Sequence, residues 1–224
     1  MPEEWYYADL LRRTVGGRGY SSFLELGGFP GAFAVYARRF LGFTDVALLD
    51  AFVDRDHLAA VIRANGLEPS NVEVFEGDMF EVDLPRQYDV VLSGGLVEHF
   101  SSPNAALERH HRWVAPGGTI VVTVPNFRGL NGSVQRWFNP ENLALHNQQI
   151  MLPDVLAGAL AAAGDLASAE GFYYGPFRAW LEPGASVVGR TALTGVRVVG
   201  VVLDAVRPRT RLTGRDVVAV GHKP

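Results

Sequence analysis

Residues 22–31, Ser-Phe-Leu-Glu-Leu-Gly-Gly-Phe-Pro-Gly, decide how the chain is read. Ser22–Leu26 is short, apolar and closed by a glycine turn, as a strand inside a parallel sheet should be. Gly27–Gly31 turns the chain. Pro30 suits the first turn of the helix that follows, where its missing N–H costs nothing. Ala32–Phe40 then continues in a helical pattern. Working outward, this unit repeats. Val46–Leu49 predicts a second strand ending on Asp50. Asp54–Asn65 predicts a helix with Leu58, Val61 and Ile62 on one face and Gly66 as its stop. Val72–Phe75 and Val90–Leu92 predict strands three and four. A helix from Ser102–Pro103 through Trp113 stops near Pro116–Gly118, and Ile120–Val124 is strand five. Upstream, Glu3–Arg13 predicts a short helix with Trp5, Tyr6 and Leu10 on one side.

Five such units predict an α/β fold with helices on both faces of the sheet. The expected architecture is a doubly wound, mostly parallel seven-stranded sheet, Rossmann-like, in a single domain covering 1–224. Insertions follow strand five and precede the last strand. Asn126–Gln149 reads as a loop rich in amides, Pro153–Ala163 as a helix, Ser168–Tyr174 as a strand and Asp216–Gly221 as the final strand. Val187–Val206 is apolar, but Arg190, Arg197 and Asp204 interrupt it. That excludes a transmembrane span and leaves a buried or lid helix, or an amphipathic element that forms a homodimer interface or rests on a membrane, with a lid or interface helix favoured.

Composition narrows the function. With 48 % hydrophobic and 20 % charged residues, the 224-residue chain can bury a sizeable core, so global disorder is excluded. A net charge of −4 gives no face built to neutralise a phosphate backbone, so no nucleic-acid partner is expected. The absence of cysteine removes disulfides, thiolate nucleophiles and sulfur-ligated metals. The acidic, aromatic start lacks the basic and apolar runs of a signal peptide, so a cytoplasmic location is expected.

In an open parallel sheet, ligands bind outside the carboxyl ends of the strands, where strand order reverses. Three features fall there together: Glu25–Gly31 after strand one, Asp50 after strand two, and Gly77-Asp78-Met79 after strand three. A dinucleotide would need G-x-G-x-x-G to seat its pyrophosphate, but the aligned hexad Leu26–Gly31 lacks the first glycine. The Glu25 carboxylate would also repel a pyrophosphate. No P-loop sequence is present. An adenosine without phosphates fits better. Asp50 can accept both ribose hydroxyls, and Asp78 or its neighbouring backbone can take the adenine amino group. Nearby acids favour a ligand carrying a sulfonium and an ammonium. S-adenosyl-L-methionine has these properties.

On these residues the chain resembles the class I S-adenosylmethionine-dependent methyltransferases. The pieces that carry the likeness are FLELGGFPG, VALLD, GDM, YDVVLSGGLVEHF and VAPGGTIVVTVPN, in the family's order across roughly residues 23–126. The resemblance implies that Glu25, Gly27, Gly28 and Gly31 form the glycine loop and that Asp50 with Ala51 holds the ribose. It further implies that Asp78 and Met79 flank the adenine, and that Ser93 and Gly94 line the methionine portion through backbone groups. Phe29 stands where the family's middle glycine is expected, with Gly28 one place early. Residues 23–125 would be the cofactor-binding half, and 126–215 the acceptor-binding and lid insertions.

The expected activity is in-line methyl transfer to a small-molecule acceptor, on oxygen or nitrogen, of a sugar, polyketide, other natural product or phenol-like metabolite. An oxygen acceptor calls for a general base. His146 in the post-strand-five insertion is the leading candidate, with His99 of the Glu98-His99 pair second. Asn126, Arg128 and Asn142 are placed to orient the acceptor, and Tyr173, Tyr174, Phe177 and Trp180 to wall it. His110 and His111 point to different helix faces and read as solvent or helix-face residues, so no metal is expected. The competing readings are a non-catalytic adenosyl-ligand sensor or partner, and a nicotinamide-dependent reductase.

Overall fold

The structure is a computed structural model describing residues 1–178, 187–206 and 209–224. Seven strands form one sheet in the order β3-β2-β1-β4-β5-β7-β6. These are β1 (Ser22–Leu26), β2 (Asp45–Asp50), β3 (Glu73–Glu76), β4 (Tyr88–Gly94), β5 (Val114–Pro125), β6 (Ser168–Tyr174) and β7 (Asp216–His222). The first five run parallel, whereas β7 is antiparallel to both β5 and β6. Crossing from β1 to β2 on one side and to β4 on the other creates the switch point that the sequence pattern predicts.

Period-two alternation divides the core between the faces. Leu24, Leu26, Leu49, Val91, Ile120 and Val122 face one side. There they meet Leu107 of α4 (Pro103–Trp113) and Leu156 and Leu160 of α7 (Pro153–Ala162). Phe23, Val46, Leu48, Val90, Leu92 and Val121 face the other. Their partners come from α1 (Ala8–Thr14), α2 (Ala32–Phe40) and α3 (Arg55–Ala64). Both faces being buried explains the unbroken apolar runs of these strands. Asp54 caps α3, accepting from His57 N–H at 2.9 Å.

Two segments depart from the sequence reading. Residues 126–149 are not loop. They hold α5 (Leu130–Phe138) and α6 (Pro140–Ala144). Leu130, Val134 and Phe138 recur at helical spacing and pack with Phe177 and with Leu193 of α8 (Val187–Val206). The intervening Asn, Gly and Gln residues mask that stripe in the sequence. The N-terminal helix also begins only at Ala8. Trp5, Tyr6 and Tyr7 are drawn instead into aromatic contacts, including Trp5 and Tyr7 with Phe33 at 5.0 and 4.8 Å between ring centroids.

The Val187–Val206 segment is one helix, as long as its apolar run. None of its described side chains lines the cavities of the candidate site. Val198, Val199, Val201, Val202 and Val206 are exposed. No helix among the described residues is long and apolar enough to cross a membrane. Trp180 lies outside the described residues.

Candidate functional site

The loop after β1 is built around a buried carboxyl. Glu25 is 1 % exposed, and its Oε2 accepts from Ala34 N–H at 2.7 Å, in the first turn of α2. Burial pushes this carboxyl up to about 8, against the pull of the Ala34 and Phe33 amides. Its other oxygen lies under Gly28. A Cβ on Gly28 would stand 2.0 Å from Glu25 Oε1, so no side chain fits there. Gly27 (φ 61°) faces Leu96, and Gly31 (φ 81°) precedes α2; both take the left-handed conformation that glycine adopts at least cost. The shifted glycine thus has a steric reason, and the Phe29 ring meets those of Phe52 and His57.

Two cavities meet at Gly27. The first, about 280 Å³, is lined by Leu49, Asp50, Ala51, Gly77, Asp78, Met79, Phe80, Leu96 and Phe100. It combines an apolar slot with acids at its rim. Asp50 accepts from Phe29 N–H at 2.9 Å and from Phe52 N–H at 3.2 Å, which fixes its carboxylate on the lip between the loops. Asp78 Oδ1 accepts from Phe80 N–H at 2.8 Å, holding its turn. The structure therefore brings Gly27, Asp50, Ala51, Asp78 and Met79 together, as the sequence reading expects. An adenosine fits this donor and acceptor set. Its carboxylates can accept from hydroxyls, and its apolar walls can take a base.

The second cavity, about 390 Å³, continues past Glu25, Gly27 and Gly28 to Gly94 and Gly95. Trp5, Tyr7, Phe33 and Phe127 line it, with Thr123 from the tip of β5. Glycine is required at 94 because a Cβ there would meet the Phe33 ring at 2.6 Å. The antiparallel β7 delivers Asp216 to the same rim, where its Oδ2 accepts from Tyr7 O–H at 2.9 Å. Burial raises the Asp216 carboxyl and the Tyr7 hydroxyl above their usual ranges. The Arg215 guanidinium lies 4.0 Å from the Tyr6 ring and pins the N-terminal segment.

Glu98, His99 and His146 form the far wall. Glu98 is 1 % exposed, and burial raises its carboxyl to about 8. The rings of His99 and His146 stand 4.5 Å apart, and Phe127 meets His146 edge-on at 5.0 Å. His146 Nδ1 donates to the Asn142 carbonyl at 2.7 Å, which leaves Nε2 with its lone pair. Burial holds His99 below its usual pKa. Both histidines named from sequence therefore reach one cavity, although they are 47 positions apart.

Other expectations are corrected. Ser93 is fully buried and its hydroxyl pairs with His110 Nε2 at 2.8 Å, so it stands behind the wall while Gly95 lines it. His110 is likewise fully buried, and His111 pairs with the Leu160 carbonyl at 2.8 Å; neither is a solvent residue. Asn126 donates to the carbonyls of Arg211 and Gly214 and ties β5 to the approach to β7. Arg128 donates to the Gln148 carbonyl at 3.3 Å. Asn142 acts through its backbone on His146. Tyr173 and Tyr174 line a separate cavity with Arg13 and Glu170, and the Tyr174 hydroxyl donates to the Tyr6 carbonyl. Phe177 packs under α8. These residues were named because they sit in the insertions, but backbone carbonyls of other segments hold the side chains of Asn126, Arg128 and Tyr174. Missed were Trp5, Tyr7, Phe33, Glu98, Thr123, Phe127, Arg215 and Asp216. Only the aromatic cluster at residues 5–7 carried a signal. Arg215 and Asp216 depend on β7 inserting between β5 and β6, whereas Phe33, Glu98, Thr123 and Phe127 come from α2, the turn after β4, the tip of β5 and the turn that follows it.

A family model described as a methyltransferase domain matches residues 4–164. Among solved structures, an S-adenosylmethionine-dependent methyltransferase from Archaeoglobus fulgidus superposes with a TM-score of 0.59 at 17 % identity, covering 98 % of this chain and 100 % of that one. The N-methyltransferase NodS from Bradyrhizobium japonicum, in complex with S-adenosyl-L-homocysteine, gives 0.59 at 13 % identity over 97 % and 85 %. Protein arginine N-methyltransferase PRMT10 of Arabidopsis thaliana is 29 % identical over 100 residues, 43 % of this chain. The chain spans 26 % of the length of that curated relative.

Proposed function

Because the chain belongs to the methyltransferase-domain family, we propose that it transfers a methyl group from S-adenosyl-L-methionine to a small-molecule acceptor, on oxygen or nitrogen. The observation that carries this reading is the joined crevice, with an apolar, acid-rimmed slot on one side of Gly27 and an aromatic, histidine-bearing cavity on the other. When bound, the cofactor supplies a methyl group already activated on a sulfonium. What remains for the chain is to position, desolvate and manage a proton. Asp50 would hold the ribose, with Ala51, Asp78 and Met79 around the base. Gly27, Gly28 and Gly94 allow the methionine portion close approach. About 390 Å³ must take that portion and the acceptor together, which favours a small acceptor or one end of a larger one. The free Nε2 of His146 is suited to take an acceptor proton, and His99 stands beside it. Calorimetry with S-adenosylmethionine and NADH tests the reading, and binding of NADH alone would overturn it.

Substituting Asp50→Ala should weaken S-adenosylmethionine binding by about tenfold to a hundredfold, since hydrogen bonds to a charged group are lost (about 1.5–3 kcal/mol). A loss under about 1 kcal/mol in a calorimetric titration would remove Asp50 from the ribose role.

The cofactor should also bind more tightly as pH rises. In the unliganded protein Glu25 stays mostly protonated below about 8, whereas in the unfolded chain it ionises near 4.5. This group's contribution to stability is therefore present below about 4.5 and is lost as pH rises towards about 8. A bound cation favours the carboxylate and offsets that loss. Affinity should then climb between pH 6 and 8, by at most about tenfold per unit for each proton released. Titrations in two buffers of different ionisation enthalpy count that proton. A pH-independent affinity with no proton release would disprove the coupling.

A further inference from the structure

Glu98, His99 and His146 do more than share a wall. One ligating atom from each lies within 4.8 Å of the others. The ring of His146 is held by the Asn142 carbonyl at 2.7 Å, and the ring of His99 stands 4.5 Å from it. A carbonyl that fixes one ring nitrogen leaves the other presented as a lone pair, which is how metal-ligating imidazoles are oriented. The third group carries the argument furthest. Glu98 is 1 % exposed, and its buried Oε2 has no hydrogen-bond partner among the described residues. Its Oε1 stands 3.9 Å from His99 Nε2, too far for a hydrogen bond. A buried carboxyl oxygen left unpaired is costly, and a ligand at the cluster would satisfy it.

We propose that Glu98, His99 and His146 bind one divalent transition-metal cation of the zinc or manganese class. Two imidazoles and one carboxylate suit such ions better than magnesium, which prefers oxygen ligands throughout. Three protein ligands leave coordination positions open, and the cluster lines the 390 Å³ cavity beside Gly94, Gly95 and Phe127. An acceptor hydroxyl fits the open position. There its O–H bond breaks more readily, the proton leaves to solvent and the electron pair stays on the metal-bound oxygen. The acceptor class narrows accordingly to hydroxyl compounds, phenolic or enolic ones foremost. This last step rests on the methyl-transfer reading; the metal site does not. With the cation bound, the two imidazoles serve as ligands, and the metal takes over the activation of the hydroxyl.

The test uses the full chain, stripped of metal with a chelator and titrated with Co²⁺, followed by its visible absorption. One ion per chain is expected, displaced by Zn²⁺. His99→Ala, His146→Ala and Glu98→Gln should each weaken Co²⁺ binding by roughly 100-fold. S-adenosylhomocysteine binding, measured on the same samples, reports that each variant is folded; His146→Asn replaces His146→Ala if it is not. Failure of the wild-type chain to bind Co²⁺, or unchanged affinity in both histidine variants, overturns the proposal. Cobalt binding lost in the variants, without S-adenosylhomocysteine binding to the wild type, supports the metal site and removes the methyl-transfer reading instead.

Discussion

His146→Ala should lower turnover by about 100-fold or more while leaving S-adenosylmethionine affinity within a factor of about two, the scale on which a positioned proton-transfer group acts. The separation is expected because the two cavities meet only at Gly27, and His146 lines the one remote from Asp50 and Asp78. Its ring is held by the Asn142 carbonyl and packs against Phe127 and His99, so its loss leaves the adenosine slot untouched. The result holds whether Nε2 takes the proton itself or holds an ion that does the work. Turnover is read as S-adenosylhomocysteine release across a library of acceptors. Unchanged turnover would exclude His146 from the chemistry, and a parallel fall in cofactor affinity would mean that the site had collapsed.

Gly28→Val should abolish cofactor binding and lower thermal stability. The added Cβ would stand 2.0 Å from Glu25 Oε1, and Glu25 cannot swing aside because it is buried and holds the Ala34 amide at 2.7 Å. Displacing that carboxyl leaves a buried N–H without its acceptor, at about 1–3 kcal/mol, before overpacking adds about 1–3 kcal/mol more. A fall in melting temperature of several degrees is expected by differential scanning calorimetry. Gly66→Val is the control, because a Cβ at Gly66 meets nothing within 4 Å; being strained only by its positive φ, it should leave cofactor binding intact. Wild-type cofactor affinity in Gly28→Val would show that the loop tolerates a side chain and that the shifted glycine has no steric role.

Much of the fold was legible because parallel strands buried on both faces announce themselves as apolar runs. Ser22–Leu26, one of these, matches its observed limits; the antiparallel edge strand Ser168–Tyr174 also matches, and the antiparallel β7 differs by one residue at its end. The helices α5 and α6 were not legible, since α5 shows its apolar stripe only once α8 and Phe177 are placed against it. The grouping of residues around the first cavity was readable for a local reason. Each of its residues follows directly on a strand, so order along the chain gives order in space. The second cavity lacks that property. Asp216 reaches the cavity because β7 runs antiparallel to β5, and Tyr7 arrives from before the first strand. Asn126, Arg128 and Tyr174 looked available, yet each is taken up by a backbone carbonyl that no linear pattern reveals.

The hydrogen bond from Tyr7 to Asp216 has a consequence for biosynthesis. During translation the opening aromatic cluster leaves the ribosome long before the residue that clasps it. Until position 216 is free of the exit tunnel, the sheet lacks the strand between β5 and β6, and the second cavity lacks the part of its rim that Asp216 supplies. Completion of that rim is thereby tied to the synthesis of β7, some two hundred residues after the aromatic cluster it holds.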